Sequence, residues 1–204
     1  MRIVVFWDSI SEWFWDYEKG GWVNMLKVYL WKKNGFDKMV MNYGISAYTS
    51  YNIVKVFQYF FDWCSRREFW KKKESTVVIA IWINDCSIDN KNKQPRVNKE
   101  DFVKNIKEIV NKCRDDELIT RVIFMSNINV NEEIINNADD CEFLFYNKDI
   151  KVYNNLLKDI CIENKIEYID IFWIMNNDDL EDWLHPNTKW HTKIFEKMKD
   201  YFNN

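Results

Sequence analysis

Short β-branched runs alternate with longer amphipathic stretches along this chain. Ile3 to Phe6 reads as a buried strand, and Trp22 to Lys33 carries apolar residues at 22, 23, 26, 29 and 30, a helical period. Lys38 to Asn42 is a second short strand, ending at Tyr43-Gly44, and Tyr51 to Phe61 is a helix with an apolar face. Thr76 to Ile83 is the clearest buried strand. Lys99 to Cys113 places Phe102, Ile106, Ile109, Val110 and Cys113 on one helical face. Arg121 to Ser126 is a fourth strand, Asp149 to Asn164 a helix, Glu167 to Ile171 a fifth strand and Thr188 to Phe202 a closing helix. Ser87 to Asn98, which holds Pro95, reads as a loop, and Asn129 to Cys141 as polar and irregular. The run Lys71-Lys72-Lys73 reads as a solvated turn.

Strand–helix alternation over the whole length implies βαβ crossovers and an α/β fold, a parallel sheet with helices on both faces. No internal repeat or low-complexity linker is visible, so residues 1–204 are expected to form one domain. With 47% hydrophobic and 30% charged residues the chain has the composition of a globular protein, not a disordered one. Its longest uncharged apolar run, Val77 to Ile83, is too short to cross a bilayer. The apolar stretch Ile3 to Trp7 runs straight into Asp8, unlike a signal peptide, and a cytoplasmic chain is expected. A net charge of −3 gives no electrostatic case for nucleic acid as a partner. The cysteines at 64, 86, 113, 141 and 161 are odd in number, contain no C-x-x-C pair and match no zinc spacing; they are expected to be reduced thiols.

Open parallel sheets bind ligands beyond the carboxyl ends of their strands. Polar residues follow apolar runs directly at Trp7-Asp8-Ser9, at Asn42-Tyr43-Gly44-Ile45-Ser46 and at Ile83-Asn84-Asp85, and Asp182-Trp183-Leu184-His185-Pro186 precedes the last helix. A serine hydroxyl needs a base to become a nucleophile, and the chain has two histidines, His185 and His191. Asp182, three residues before His185, is spaced to present a carboxylate and an imidazole from one turn. The amides of Ser9 and Gly44 and the side-chain NH2 of Asn84 are candidate donors for an oxyanion. His191 is expected at the surface of the helix start, Asp8 to orient the turn after the first strand and Asp85 to tie down the Asn84 loop. Cys86 has no second base. Phe143, Phe145 and Tyr146 either wall an acyl pocket or pack a loop. Asp178, Asp179, Glu181 and Asp182 read as a solvated acidic loop and not as a cation site.

As a set these segments resemble the GDSL/SGNH hydrolase family. Its Gly-Asp-Ser block appears as Trp7-Asp8-Ser9, its second-block glycine as Gly44, its Gly-x-Asn-Asp block as Trp82-Ile83-Asn84-Asp85, and its Asp-x-x-His-Pro block as Asp182-Trp183-Leu184-His185-Pro186. The resemblance implies a flavodoxin-like three-layer α/β/α sandwich on a five-stranded parallel sheet. It also implies cleavage of carboxylic esters through an acyl-enzyme, with no metal and no cofactor. Ser9 would be the nucleophile, His185 the base and Asp182 its orienting partner, with Ser9, Gly44 and Asn84 forming the oxyanion hole. The expected partner is a small-molecule, lipid or glycan acyl ester; transfer to an acceptor other than water stays open. The alternative is a non-catalytic acyl- or glycan-binding module on the same fold.

One departure has a pattern. Trp7, Trp13, Trp15, Trp82, Trp183 and Trp190 stand where the family carries glycine, in a chain with 11 tryptophans and 4 glycines. Some bacterial lineages read UGA as glycine, whereas the commonest alternative code reads it as tryptophan. Lys, Asn and Ile form about a third of the residues, as an AT-rich genome would give. The expectation is that these positions are UGA codons.

Overall fold

The structure, a computed structural model, describes residues 1–12, 16–65, 74–80, 83–137, 141–174 and 184–203, with Trp7, Cys64 and Ser65 described for their backbone alone. Strand β1 (Arg2–Trp7) is followed by helix α1 (Gly21–Asn34), β2 (Met39–Gly44), α2 (Ser50–Ser65) and β3 (Ser75–Ala80). A short helix α3 (Ile83–Cys86), β4 (Ile88–Asp89), α4 (Lys99–Asp115) and β5 (Ile119–Met125) come next. The chain then forms α5 (Glu132–Ile135), β6 (Phe143–Leu144), α6 (Asn147–Asn164), β7 (Glu167–Ile169) and α7 (Thr188–Asn203).

Five strands form one parallel sheet in the order β2-β1-β3-β5-β7, with Ile3 opposite both Val40 and Thr76. This is the doubly wound, flavodoxin-like α/β/α arrangement. Helix α1 packs against α7, and α4 packs against α2 and α6, giving the two helical layers. The central strands are buried on both faces and so run apolar without alternation. Val4, Val5, Phe6, Val77, Val78, Ile79, Ile123 and Phe124 are all fully buried between the layers. The chain first winds from β1 to β2 and then returns past β1 to β3. The carboxyl ends of β1 and β3 therefore flank the point where the winding reverses, the place where such sheets leave a crevice.

Local chemistry sets the helix ends. Gly20 (φ 70°) and Gly35 (φ 56°) bracket α1, and the Gly35 N–H donates to Trp31 O. The Asn98 side chain caps α4 by accepting the Asp101 N–H at 2.8 Å.

Three features differ from the sequence reading. The apolar run from Thr76 does not continue as strand to Ile83, because Ile83 opens α3. The loop from Ser87 to Asn98 contains β4, which pairs antiparallel with β6 through Ile88–Leu144 and Asp89–Phe143. An Asx turn, in which Asp89 Oδ1 accepts the N–H groups of Lys91 and Asn92, folds that loop back on itself. The polar stretch after Asn129 holds α5. The Lys71–Lys73 run lies outside the described residues. Among those described, no helix is long and apolar enough to cross a membrane, and Cys86, Cys113, Cys141 and Cys161 are free thiols.

Candidate active site

Ser9 sits two residues past β1, on a turn held by Asp8. The Asp8 carboxylate accepts the Ile10 N–H at 3.0 Å, and its carbonyl accepts the N–H groups of Ser11 and Glu12 at 3.2 and 3.3 Å. Asp8 is fully buried and so serves as the turn's organiser.

The other end of the chain is fastened over this turn. Asn187 caps α7, its Oδ1 accepting the Trp190 N–H at 3.2 Å. The Thr188 hydroxyl donates to Asp16 Oδ1 at 2.7 Å, and Gly21 N–H donates to Asp16 Oδ2 at 2.9 Å. Burial alone would raise the Asp16 carboxyl; the bonds from Thr188, Lys19 and Gly21 and the nearby His191 outweigh it and hold it below its ordinary value. His191, expected at the surface, is instead fully buried, because its Nδ1 accepts the Trp22 N–H at 3.4 Å and so joins α7 to the start of α1.

These ties bring His185 Nε2 to 2.8 Å from Ser9 Oγ across 176 residues of chain. Both side chains line a cleft of about 350 Å³ with Asn84 and Ala47, and Phe143, Phe145, Ile135 and Leu184 form an apolar wall. Phe143 and Phe145 thus face the cleft and do not merely pack a loop. Asp182, with the rest of the acidic loop, lies outside the described residues, as do Trp13, Trp15, Trp82 and Trp183.

Asn84 is nearly buried at the start of α3. Its Nδ2 donates to Tyr48 O at 3.0 Å and lies 3.5 Å from Asp8 Oδ2. The loop behind it is fixed by fully buried Asp85, whose carboxylate accepts both the amide and the hydroxyl of Ser50. Burial pushes the Asp85 carboxyl up to about 7; the Ser50 bonds and Arg96 oppose the shift, and Asp8 adds to it. Cys86 is buried, and desolvation with the Asp85 charge drives its thiol well above the ordinary value, which makes it inert.

Gly44 is placed differently from expectation. It is not among the residues lining the cleft, and its N–H donates to Asn42 Oδ1 at 2.9 Å. Its lack of a side chain matters for another reason: a Cβ there would stand 2.0 Å from Ser11 Oγ, 2.9 Å from Glu12 N and 3.1 Å from Asp8 O, on the turn that carries Ser9. Ala47, which the sequence reading passed over, lines the cleft with φ 60°, a left-handed conformation that favours glycine. The backbone N–H groups of Ala47 and Ser9 have no hydrogen-bond partner among the described residues. Unpaired amides at a cleft wall are available to an incoming anion. No cluster of His, Cys, Asp or Glu among the described residues is arranged to hold a metal ion.

The family model of GDSL-like lipases and acylhydrolases matches residues 3–198. The chain belongs to the GDSL-like lipase/acylhydrolase family. It is therefore a hydrolase of the ester-cleaving class. Several solved structures share its fold. LAE5, an alpha/beta hydrolase from the metagenome of Lake Arreo, Spain, superposes with a TM-score of 0.70 at 18% identity, covering 98% of this chain and 93% of its own. The psychrotrophic esterase EstA from Pseudoalteromonas sp. gives 0.70 at 16% identity, covering 100% and 99%. Axe2, an acetyl xylan esterase from Geobacillus stearothermophilus solved as its W215I variant, gives 0.67 at 17% identity, covering 98% and 93%. No curated protein sequence matches the chain.

Trp190, one of the six tryptophans expected to stand for glycine, is fully buried on α7. Its indole N–H has no hydrogen-bond partner among the described residues. An unsatisfied buried donor costs about 1–3 kcal/mol, so the fold encloses this side chain without accommodating its polar atom.

Proposed function

We propose that the chain is a serine esterase working through an acyl-enzyme, with Ser9 as nucleophile, His185 as general base and Asp182 as the carboxylate that orients the imidazole. The observation that carries the reading is the 2.8 Å contact between Ser9 Oγ and His185 Nε2 inside a cleft that also holds two unpaired amides. That distance suits direct proton transfer. Ser9 Oγ attacks the ester carbonyl carbon while its proton passes to His185 Nε2. The carbonyl oxygen takes the electron pair and is received by the amides of Ser9 and Ala47 and by Asn84 Nδ2; Gly44 instead serves as the spacer that lets the Ser9 turn approach β2. Collapse of the tetrahedral adduct expels the alkoxide, which takes the proton from His185. Water, deprotonated by His185, then attacks the acyl-enzyme; the second adduct collapses, Ser9 takes back its proton and the acid leaves.

A cleft of about 350 Å³ with an aromatic wall suits a short acyl group joined to an alcohol that extends outward, as on a glycan or lipid. Axe2, which shares the fold, is an acetyl xylan esterase, and a short acyl group is in keeping with that. The test is hydrolysis of p-nitrophenyl acetate by the purified chain and by Ser9→Ala. Loss of a triad member lowers kcat by about 10⁴-fold or more; a Ser9→Ala chain that keeps its parent's rate would falsify the assignment.

A further inference from the structure

Arg96 lines the candidate cleft from the loop between Ser87 and Asn98. Its backbone N–H donates to Ser87 O at 2.9 Å, and its guanidinium stacks 4.7 Å above the centre of the Phe143 ring. From there Nη2 donates to Ala47 O at 3.0 Å and Nη1 approaches Asn84 Oδ1 at 3.4 Å. Ala47 stands on the connection from β2 to α2 and Asn84 follows β3, so one side chain spans two separate strand ends.

We infer that Arg96 is the positioning residue of the oxyanion hole, clamping the Ala47 carbonyl and the Asn84 carboxamide so that the Ala47 N–H stays open to the cleft and Asn84 Nδ2 is held toward the Ser9 turn. The inference rests on the reading of the cleft as an esterase site. Two arguments support it. First, a carboxamide has two orientations, and its neighbours choose between them. With Asn84 Nδ2 on Tyr48 O and Oδ1 on Arg96, a flip would set two carbonyl oxygens against each other and two donors against each other. A cation on Oδ1 also polarises the carboxamide and strengthens its N–H groups as donors. Second, the charge is not consumed locally. Among the described residues no carboxylate oxygen lies within 4.0 Å of the guanidinium, while Asp85 and Glu142 act on it from farther off. A half-buried positive charge directly behind two oxyanion donors favours a transition state that gains negative charge there. Lysine lacks the planar fork that reaches both acceptors at once.

The experiment compares the parent chain, Arg96→Ala and Arg96→Lys on p-nitrophenyl acetate, with and without added methylguanidine. The expected result for Arg96→Ala is a kcat about 10- to 100-fold lower, with KM within about threefold of the parent. Methylguanidine should restore part of the lost kcat in Arg96→Ala and none in the parent, a response that a purely structural role would not give. Arg96→Lys keeps the charge without the fork and should fall between the two; if Arg96→Ala fails to fold, the kcat of Arg96→Lys decides alone. An unchanged kcat, or a loss confined to KM, overturns the inference. Ser9→Ala separates the two levels: if it is inactive while the Arg96 variants keep full kcat, the clamp alone is wrong, whereas an active Ser9→Ala removes the esterase reading beneath it.

Discussion

Replacing Gly44 by alanine tests how the Ser9 turn is held. The added methyl would stand 2.0 Å from Ser11 Oγ, which is fully buried and interacts with Asn42 Oδ1. Rotation of Ser11 could relieve that contact, but the Glu12 amide at 2.9 Å and the Asp8 carbonyl at 3.1 Å are backbone atoms and cannot rotate away. The turn from Asp8 to Glu12 must therefore shift, and Ser9 shifts with it. Overpacking of this kind costs about 2 kcal/mol, which for a chain of this length lowers Tm by about 4–8 °C. A displacement of the nucleophile approaching 1 Å lowers the rate by about 100-fold. Thermal melts and steady-state kinetics on p-nitrophenyl acetate read both effects. Gly35→Ala is the matched control. Its φ is 56° but nothing lies within 4 Å of a Cβ there, so it should cost about 1 kcal/mol of backbone strain and leave kcat/KM alone. If Gly44→Ala keeps its Tm within about 1 °C and its kcat/KM within about twofold of the parent, the close-approach argument is refuted.

Three further outcomes follow from the same geometry. Ala47→Gly should raise stability by about 1 kcal/mol in denaturant melts, because it removes a Cβ from a φ of 60°. Asp85 has a folded value of about 7, above its ordinary carboxyl value, so the folded chain holds a proton there that the unfolded chain releases from about pH 4 upward. Its contribution is complete below about pH 4 and falls by at most about 1.4 kcal/mol per unit up to about pH 7; Asp85→Asn should flatten that slope in melts across pH 4–8, and an unchanged slope contradicts it. The gene should read UGA at positions 7, 82, 183 and 190, and UGG there would show the tryptophans to be genuine.

The sheet was legible because its chemistry is periodic. The buried run from Thr76 and the apolar positions of α4 and α7 could form only a central strand and one-faced helices. What escaped notice lacks a period. Strands β4 and β6 are two residues each, too short to show alternation, and the chain leaves β4 through the Asx turn at Asp89. Arg96 reaches the cleft only because that turn carries it there. At β2 the glycine letter drew attention to Gly44, but the glycine-like conformation belongs to Ala47, and backbone torsion is not written in side-chain identity. His191 had a usable signal: it adjoins the stripe Trp190, Ile194, Met198 and Phe202, which fixes the buried side of α7. The joining of Ser9 and His185 was readable from residue type and order alone, while Asp182 remains an expectation from spacing.

Whether Ser9 is a nucleophile activated by His185 is read most directly by covalent trapping. The purified chain is treated with a fluorophosphonate, digested and mapped by mass spectrometry. The expected outcome is one stoichiometric adduct on Ser9, lost in Ser9→Ala and strongly slowed in His185→Ala. No adduct, or an adduct on another residue that persists in Ser9→Ala, would contradict it.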